Sequence, residues 1–145
     1  MASFNLINDW LANMVENADL ESDQFVVALS NTAPGAESTP PTGDGDGILG
    51  NITEVAYTNC SSRNITTTSS GQSGGTYELI LQDLTLTASG GTVGPFRYVY
   101  IYDDTVATPA DPLVCYYDYG SSITLNDGET LEIDFDDANG LFQLS

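Results

Sequence analysis

Few residues in this 145-residue chain have types and spacings that could do chemistry. Gly71-Gln-Ser73-Gly-Gly75 meets the G-x-S-x-G spacing of a nucleophile elbow, where a strained strand-to-helix turn exposes the serine hydroxyl. That hydroxyl needs a base to take its proton, and the chain contains neither His nor Lys. No helix signal follows the motif, so a flexible loop is the better reading. Asp103, Asp104 and Asp118 stand beside tyrosines, a combination that suits glycoside hydrolysis or a sugar platform. With 21 acidic residues in the chain, such neighbours arise from composition alone. Cys60 and Cys115, without His, offer no ordinary zinc or iron set. Asp44 and Asp46 in TGDGDG begin like a calcium loop. Ile48, however, stands where a third oxygen ligand belongs, and Val55 where the bidentate Glu belongs, so a turn is expected. These considerations assign no catalytic residue, no cofactor and no metal, and the chain is read as a non-enzyme.

The side chains with the greatest contact potential lie in residues 90–102, GGTVGPFRYVYIY. Gly-Gly and Gly-Pro punctuate its start. Phe96, Tyr98, Tyr100 and Tyr102 then recur at period two, which places four rings on one face of a strand. Arg97, Val99 and Ile101 take the other face. A strand apolar on both faces needs cover on both, from a second sheet, a helix or a neighbouring subunit. LVCYYDY at 113–119 has the same two-sided character. Arg97, Tyr98, Tyr100, Tyr102, Tyr116, Tyr117 and Tyr119 are therefore the candidate interface residues, since tyrosine combines contact area with a polar end and is enriched where proteins meet. The same rings could equally fill a core and tip their hydroxyls into water.

The remaining elements must hold these strands. Ile7, Trp10, Leu11, Met14 and Val15 follow the spacing of an amphipathic helix over about residues 3–17, with Ser3 as cap and Asp9 near the positive end of the dipole. Its polar face lacks Lys and Arg, which favours packing on the sheet over lying on a membrane. QFVVALSN at 24–31 reads as a strand, and residues 32–50 as a long Pro/Gly/Ala/Ser loop. Residues 52–58 and 63–68 read as a hairpin about Cys60, followed by a SSGQSGG loop. Tyr77, Leu79 and Leu81 alternate with Glu78, Ile80 and Gln82, and Asp83 marks a kink before Leu84 and Leu86. Leu131, Ile133 and Phe135 share one face of a late strand, and a short strand closes the chain at 140–144. About eight to ten short strands with one N-terminal amphipathic helix predict a mainly β fold, an antiparallel β-sandwich of jelly-roll-like type. It is expected to be a single domain over residues 1–145.

The run TASGGTVGPFRYVYIYDDTVATPADPLVCYYDYGSSITLNDGETLEIDFD, with SNTAP near residue 30, resembles a family of small virion structural proteins encoded in tailed-phage genomes. The resemblance covers the chain apart from an insertion around residues 35 to 47. It implies a capsid decoration (cement) protein stabilising the head shell, acting as a homo-oligomer such as a trimer, with the major capsid protein as partner. The alternatives are a neck or tail structural component, with neck or tail proteins as partners, or a carbohydrate-binding host-attachment module. Residence in the virion after synthesis in the host cytoplasm follows. It agrees with MASFNLIND, which lacks the positive and apolar regions of a signal peptide. In that compartment the two cysteines are expected as free thiols.

Charge bounds the partners further. The 21 Asp and Glu face two basic residues, Arg63 and Arg97, for a net charge of −19. Such a surface cannot release phosphate counterions as nucleic-acid binding requires, and it is repelled by anionic membranes. A basic partner, divalent cations or salt would relieve the self-repulsion. The melting temperature is accordingly expected to rise between low salt and about 0.5 M NaCl. An unchanged value would mean that the carboxylates are too dispersed to interact.

Overall fold

The computed structural model describes residues 2–34 and 47–144, so the Asp44 and Asp46 turn lies outside the described residues. In chain order the elements are β1 (Ser3–Leu6), α1 (Asn8–Glu16), β2 (Phe25–Ser30), a 3-10 turn at Leu49–Asn51, β3 (Asn64–Ile65), β4 (Thr67–Ser73), β5 (Thr76–Leu81), β6 (Leu84–Thr87), β7 (Val93–Asp103), β8 (Leu113–Leu125), β9 (Thr130–Ile133) and β10 (Gln143–Leu144). One sheet has the strand order β1-β8-β7-β2-β3, and a second layer is made of β10-β5-β4 and β6-β9. The pairings are antiparallel. This is the expected mainly β, sandwich-like arrangement with one N-terminal helix.

The main core lies between the layers. Val27, Leu29, Val99 and Ile101 of the five-stranded sheet meet Leu79, Leu81, Leu86, Ile133 and Phe135 from the other side. The alternation in β5 and around β9 thus buries the residues that the period-two pattern selects, with Leu131 partly buried at the edge of the same cluster. Asp83 breaks β5 from β6 as its sequence position suggests. Its Oδ1 accepts the Phe135 N–H at 2.8 Å where the chain changes from one strand pair to the other.

The helix is shorter than the expected span of residues 3–17. Residues 3–6 read S-F-N-L, a period-two run, and β8 takes up their backbone from Ser3 opposite Asp118 to Leu6 opposite Cys115. Ile7 N–H still donates to Val114 O at 3.0 Å, so the chain leaves the sheet only there and Ile7, not Ser3, becomes the cap. Trp10 and Met14 join the main core, and Trp10 meets Phe25 edge-on at 6.2 Å. Leu11 and Val15, the other half of the stripe, stay exposed.

Two further expectations change. Residues 52–63 do not form half of a hairpin; they touch the ends of β2 and β6 through single bridges, Ser30 with Glu54 and Cys60 with Ala88. The hairpin is instead β4–β5, and SSGQSGG is its first strand and turn. Gly74 (φ +60°) and Gly75 (φ +87°) supply the two positive-φ residues that a tight two-residue hairpin demands.

In a urea titration Ile133→Ala is expected to lose about 2–5 kcal/mol. Leu131→Ala should lose less because its side chain already touches solvent. Equal losses would contradict this packing.

Candidate functional site

Tyr98, Tyr100 and Tyr102 share a face as their spacing predicts, but Phe96 does not join them. Register slips between Phe96 and Tyr98, where Phe96 lies opposite Ile123 but Tyr98 lies opposite Asp118, so that residues 119–122 of β8 form a bulge without partners on β7. This bulge turns the strand over, and bulges are sites of such re-aiming. Phe96 therefore enters the main core, whereas Tyr98, Tyr100 and Tyr102 point to the opposite face of the sheet. There they form a second core with Ile7, Val26, Ala28, Ile52 and Leu113, and Leu49 and Tyr116 pack against it. Tyr117 and Tyr119 lie on the first face, packed against the main core. Of the seven candidate interface residues, Tyr98, Tyr100 and Tyr102 are buried, while Arg97, Tyr116, Tyr117 and Tyr119 are half-buried.

The second core is an aromatic cluster with internal hydrogen bonds. Tyr98, Tyr100 and Tyr116 stand 5.8–6.3 Å apart, centroid to centroid. The Tyr100 hydroxyl donates to Thr32 O at 2.7 Å, and burial holds its phenol well above the ordinary range. Cover comes from the chain after residue 47. Leu113 N–H donates to Gly47 O at 2.8 Å, and Leu49 N–H to Asp111 O at 2.9 Å. Asp9 ties the same segment to the start of α1, accepting from Gly47 N–H at 2.9 Å.

Both arginines are spent inside this arrangement. Arg97 makes a two-pronged contact with Asp118, at 2.8 and 3.1 Å, and its guanidinium lies 5.2 Å from the Tyr98 ring centre. The pair holds the Asp118 carboxyl below the usual range, and Asp118 also accepts from Gly120 N–H in the bulge. Arg63 donates to Val27 O at 2.6 Å, stacks 3.7 Å over the Tyr57 ring and stands 3.6 Å from Glu54. The Tyr57 hydroxyl donates to Glu54 and accepts Leu29 N–H, which fastens residues 54–63 to the edge of β2.

The residues with chemical potential are not brought together. Ser73 is exposed at the end of β4, opposite Thr76 across the hairpin turn. Asp118 lies opposite Tyr98 and Asp103 ends β7, roughly 16 Å apart along the strand and beyond the spacing of a glycosidase pair. Among the described residues no group of three or more His, Cys, Asp and Glu converges as metal ligands would. Cys60 and Cys115 are free, and burial pushes both thiols upward. Among the same residues no helix is long and apolar enough to cross a membrane.

The burial of one of these carboxyls was not legible in the sequence. Asp103 has no exposed surface, and its Oδ1 accepts from Thr105 and Val106 N–H at 3.0 and 3.3 Å. Its Oδ2 is buried without a hydrogen-bond partner among the described residues. Burial, then the neighbouring Asp23 carboxyl, push its pKa up to about 7. Compared with family models, with curated proteins and with solved structures, the chain matches none.

The folded protein thus holds the Asp103 proton up to about pH 7, whereas an unfolded chain releases it near pH 4. Between those values the native state binds more protons, so this group's contribution to stability falls as pH rises and levels off above about 7. Asp103→Asn keeps the acceptor for both N–H groups and removes the charge. It is expected to stabilise the protein by about 1–3 kcal/mol at pH 8, with the gain vanishing towards pH 4. A gain independent of pH would rule out this titration as its cause.

Proposed function

We propose that this chain is a structural protein of a tailed-phage virion that works by attachment, as a decoration protein on the outer head shell. The virion setting rests on the resemblance carried by residues 87–136 and by SNTAP at 30–34. The mode of action rests on one observation, the division of side chains between inside and outside. Tyr98, Tyr100, Tyr102, Arg63 and Arg97 are all engaged in holding the sheet. What faces outward is a carboxylate-rich surface and the uncovered side of α1. A protein arranged in this way acts through contact area and charge, the means by which a cement protein bridges several shell subunits and gains avidity from weak contacts. A glycan platform would need open tyrosine faces, and Tyr98, Tyr100 and Tyr102 are at most 7% exposed.

Purified protein mixed with expanded capsids that lack it is expected to bind saturably, at sites repeated over the shell, in cryo-electron microscopy. Density confined to the neck or tail would replace decoration with the neck or tail reading. Binding to no part of the virion would overturn the virion assignment itself.

A further inference from the structure

One side of α1 has no cover. Val15 is 79% exposed and Leu11 47%, an i, i+4 pair on the helix surface away from the buried Trp10. Val15 borders a cleft of ≈ 710 Å³ that runs to Leu144 of β10, itself 38% exposed, with Met14, Ala18 and Tyr77 along its walls. Exposed apolar side chains are ordinary when scattered. Here three of the four large ones left exposed among the described residues lie in this cleft or one helical turn from it.

Charge identifies the occupant. Asp19 and Glu21 edge the cleft, and among the described residues neither is paired with a cation. The two arginines are committed elsewhere, Arg63 to Glu54 and Arg97 to Asp118. A second copy seated on this face would bring its own carboxylates against these on a chain of net charge −19, with no Lys to answer them. A partner carrying Lys or Arg beside its apolar side chains would satisfy both halves of the surface at once.

We propose that the cleft between α1 and β10 docks a cationic amphipathic segment of another protein. Its apolar ridge seats between Val15 and Leu144, and its Lys or Arg side chains lie against Asp19 and Glu21. This assigns a partner chemistry to a surface and holds whether or not that partner is a head shell.

The probe is a helical peptide of leucine and lysine with its leucines on one face, titrated calorimetrically into the full chain and mapped by amide chemical shifts. Shifts are expected in residues 11–21 and around Tyr77 and Leu144. Val15→Ser should weaken binding about tenfold, as loss of one buried aliphatic contact would. Glu21→Lys should weaken it by a similar factor, while Glu132→Lys, the same charge change on β9 outside the cleft, should leave affinity within about twofold. All three sites are exposed, and thermal melts check that each variant folds. An equal loss with Glu132→Lys would reduce the interaction to diffuse attraction and overturn the site. Shifts elsewhere, or no binding, would overturn it too. A free protein that sediments as a dimer and is dissociated by Val15→Ser would make a second copy the occupant. None of these readouts uses capsids, so they stand or fall apart from the decoration assay.

Discussion

Neither face of the β7–β8 pair can be left in water, and the placement of the other elements follows from that requirement. Burying apolar surface is worth roughly 25 cal/mol per Å², so a strand carrying Val99 and Ile101 on one side and Tyr98, Tyr100 and Tyr102 on the other needs two covers. The second layer covers one face together with Trp10 and Met14 of α1. The segment entering at Gly47 covers the other, held by backbone bonds to Asp111 and Leu113. β1 and β2 close the two sides of the pair, and each joins by backbone pairing along its whole length. The burial of Asp103 is a by-product, since it ends β7 opposite Phe25 at the point where β2 starts.

With two cations in the chain, where each one sits matters. Each clamps a place where regular pairing fails. Arg97 and Asp118 bracket the slip at which residues 119–122 of β8 lose their partners on β7. Arg63 reaches Val27 O from an irregular segment that β2 holds through few backbone bonds. A charged donor supplies a stronger bond than a neutral one at such gaps. The consequence is that both cations are paired and the charges left over among the described residues are carboxylates. Cohesion inside and electrostatic selectivity outside come from the same scarcity of basic residues.

Period-two patterns were legible wherever a strand stayed regular. β2, β5, the Leu131–Ile133–Phe135 face and the two-sided character of β7 could all be read before any coordinate. What was lost were events that a one-dimensional period does not encode. The slip after Phe96 reverses facing and depends on residues more than twenty positions away. The start of α1 was misplaced because S-F-N-L fits a strand as well as a helical turn, and only the free edge of β8 decides between them. The β4–β5 hairpin was hidden by composition, because TTSSGQS lacks the apolar alternation of a half-buried strand and is in fact mostly exposed. The period-two spacing marks the tyrosines as residues that need contacts, but whether those contacts are internal depends on residues 47–52 crossing above them.

The helical stripe is where the sequence said more than the fold uses. Five apolar positions were in register, yet α1 contributes only Trp10 and Met14 to the main core, and Ile7 turns to the other face. A helix of nine residues beside a sheet can press only part of its circumference against it. Leu11 and Val15 thus lie beyond what folding requires. On a surface rich in carboxylates, they are the most exposed large apolar side chains among the described residues. The surrounding charge disfavours acidic partners at this face. Apolar side chains fix the place and carboxylates restrict the partner, and neither would give specificity alone.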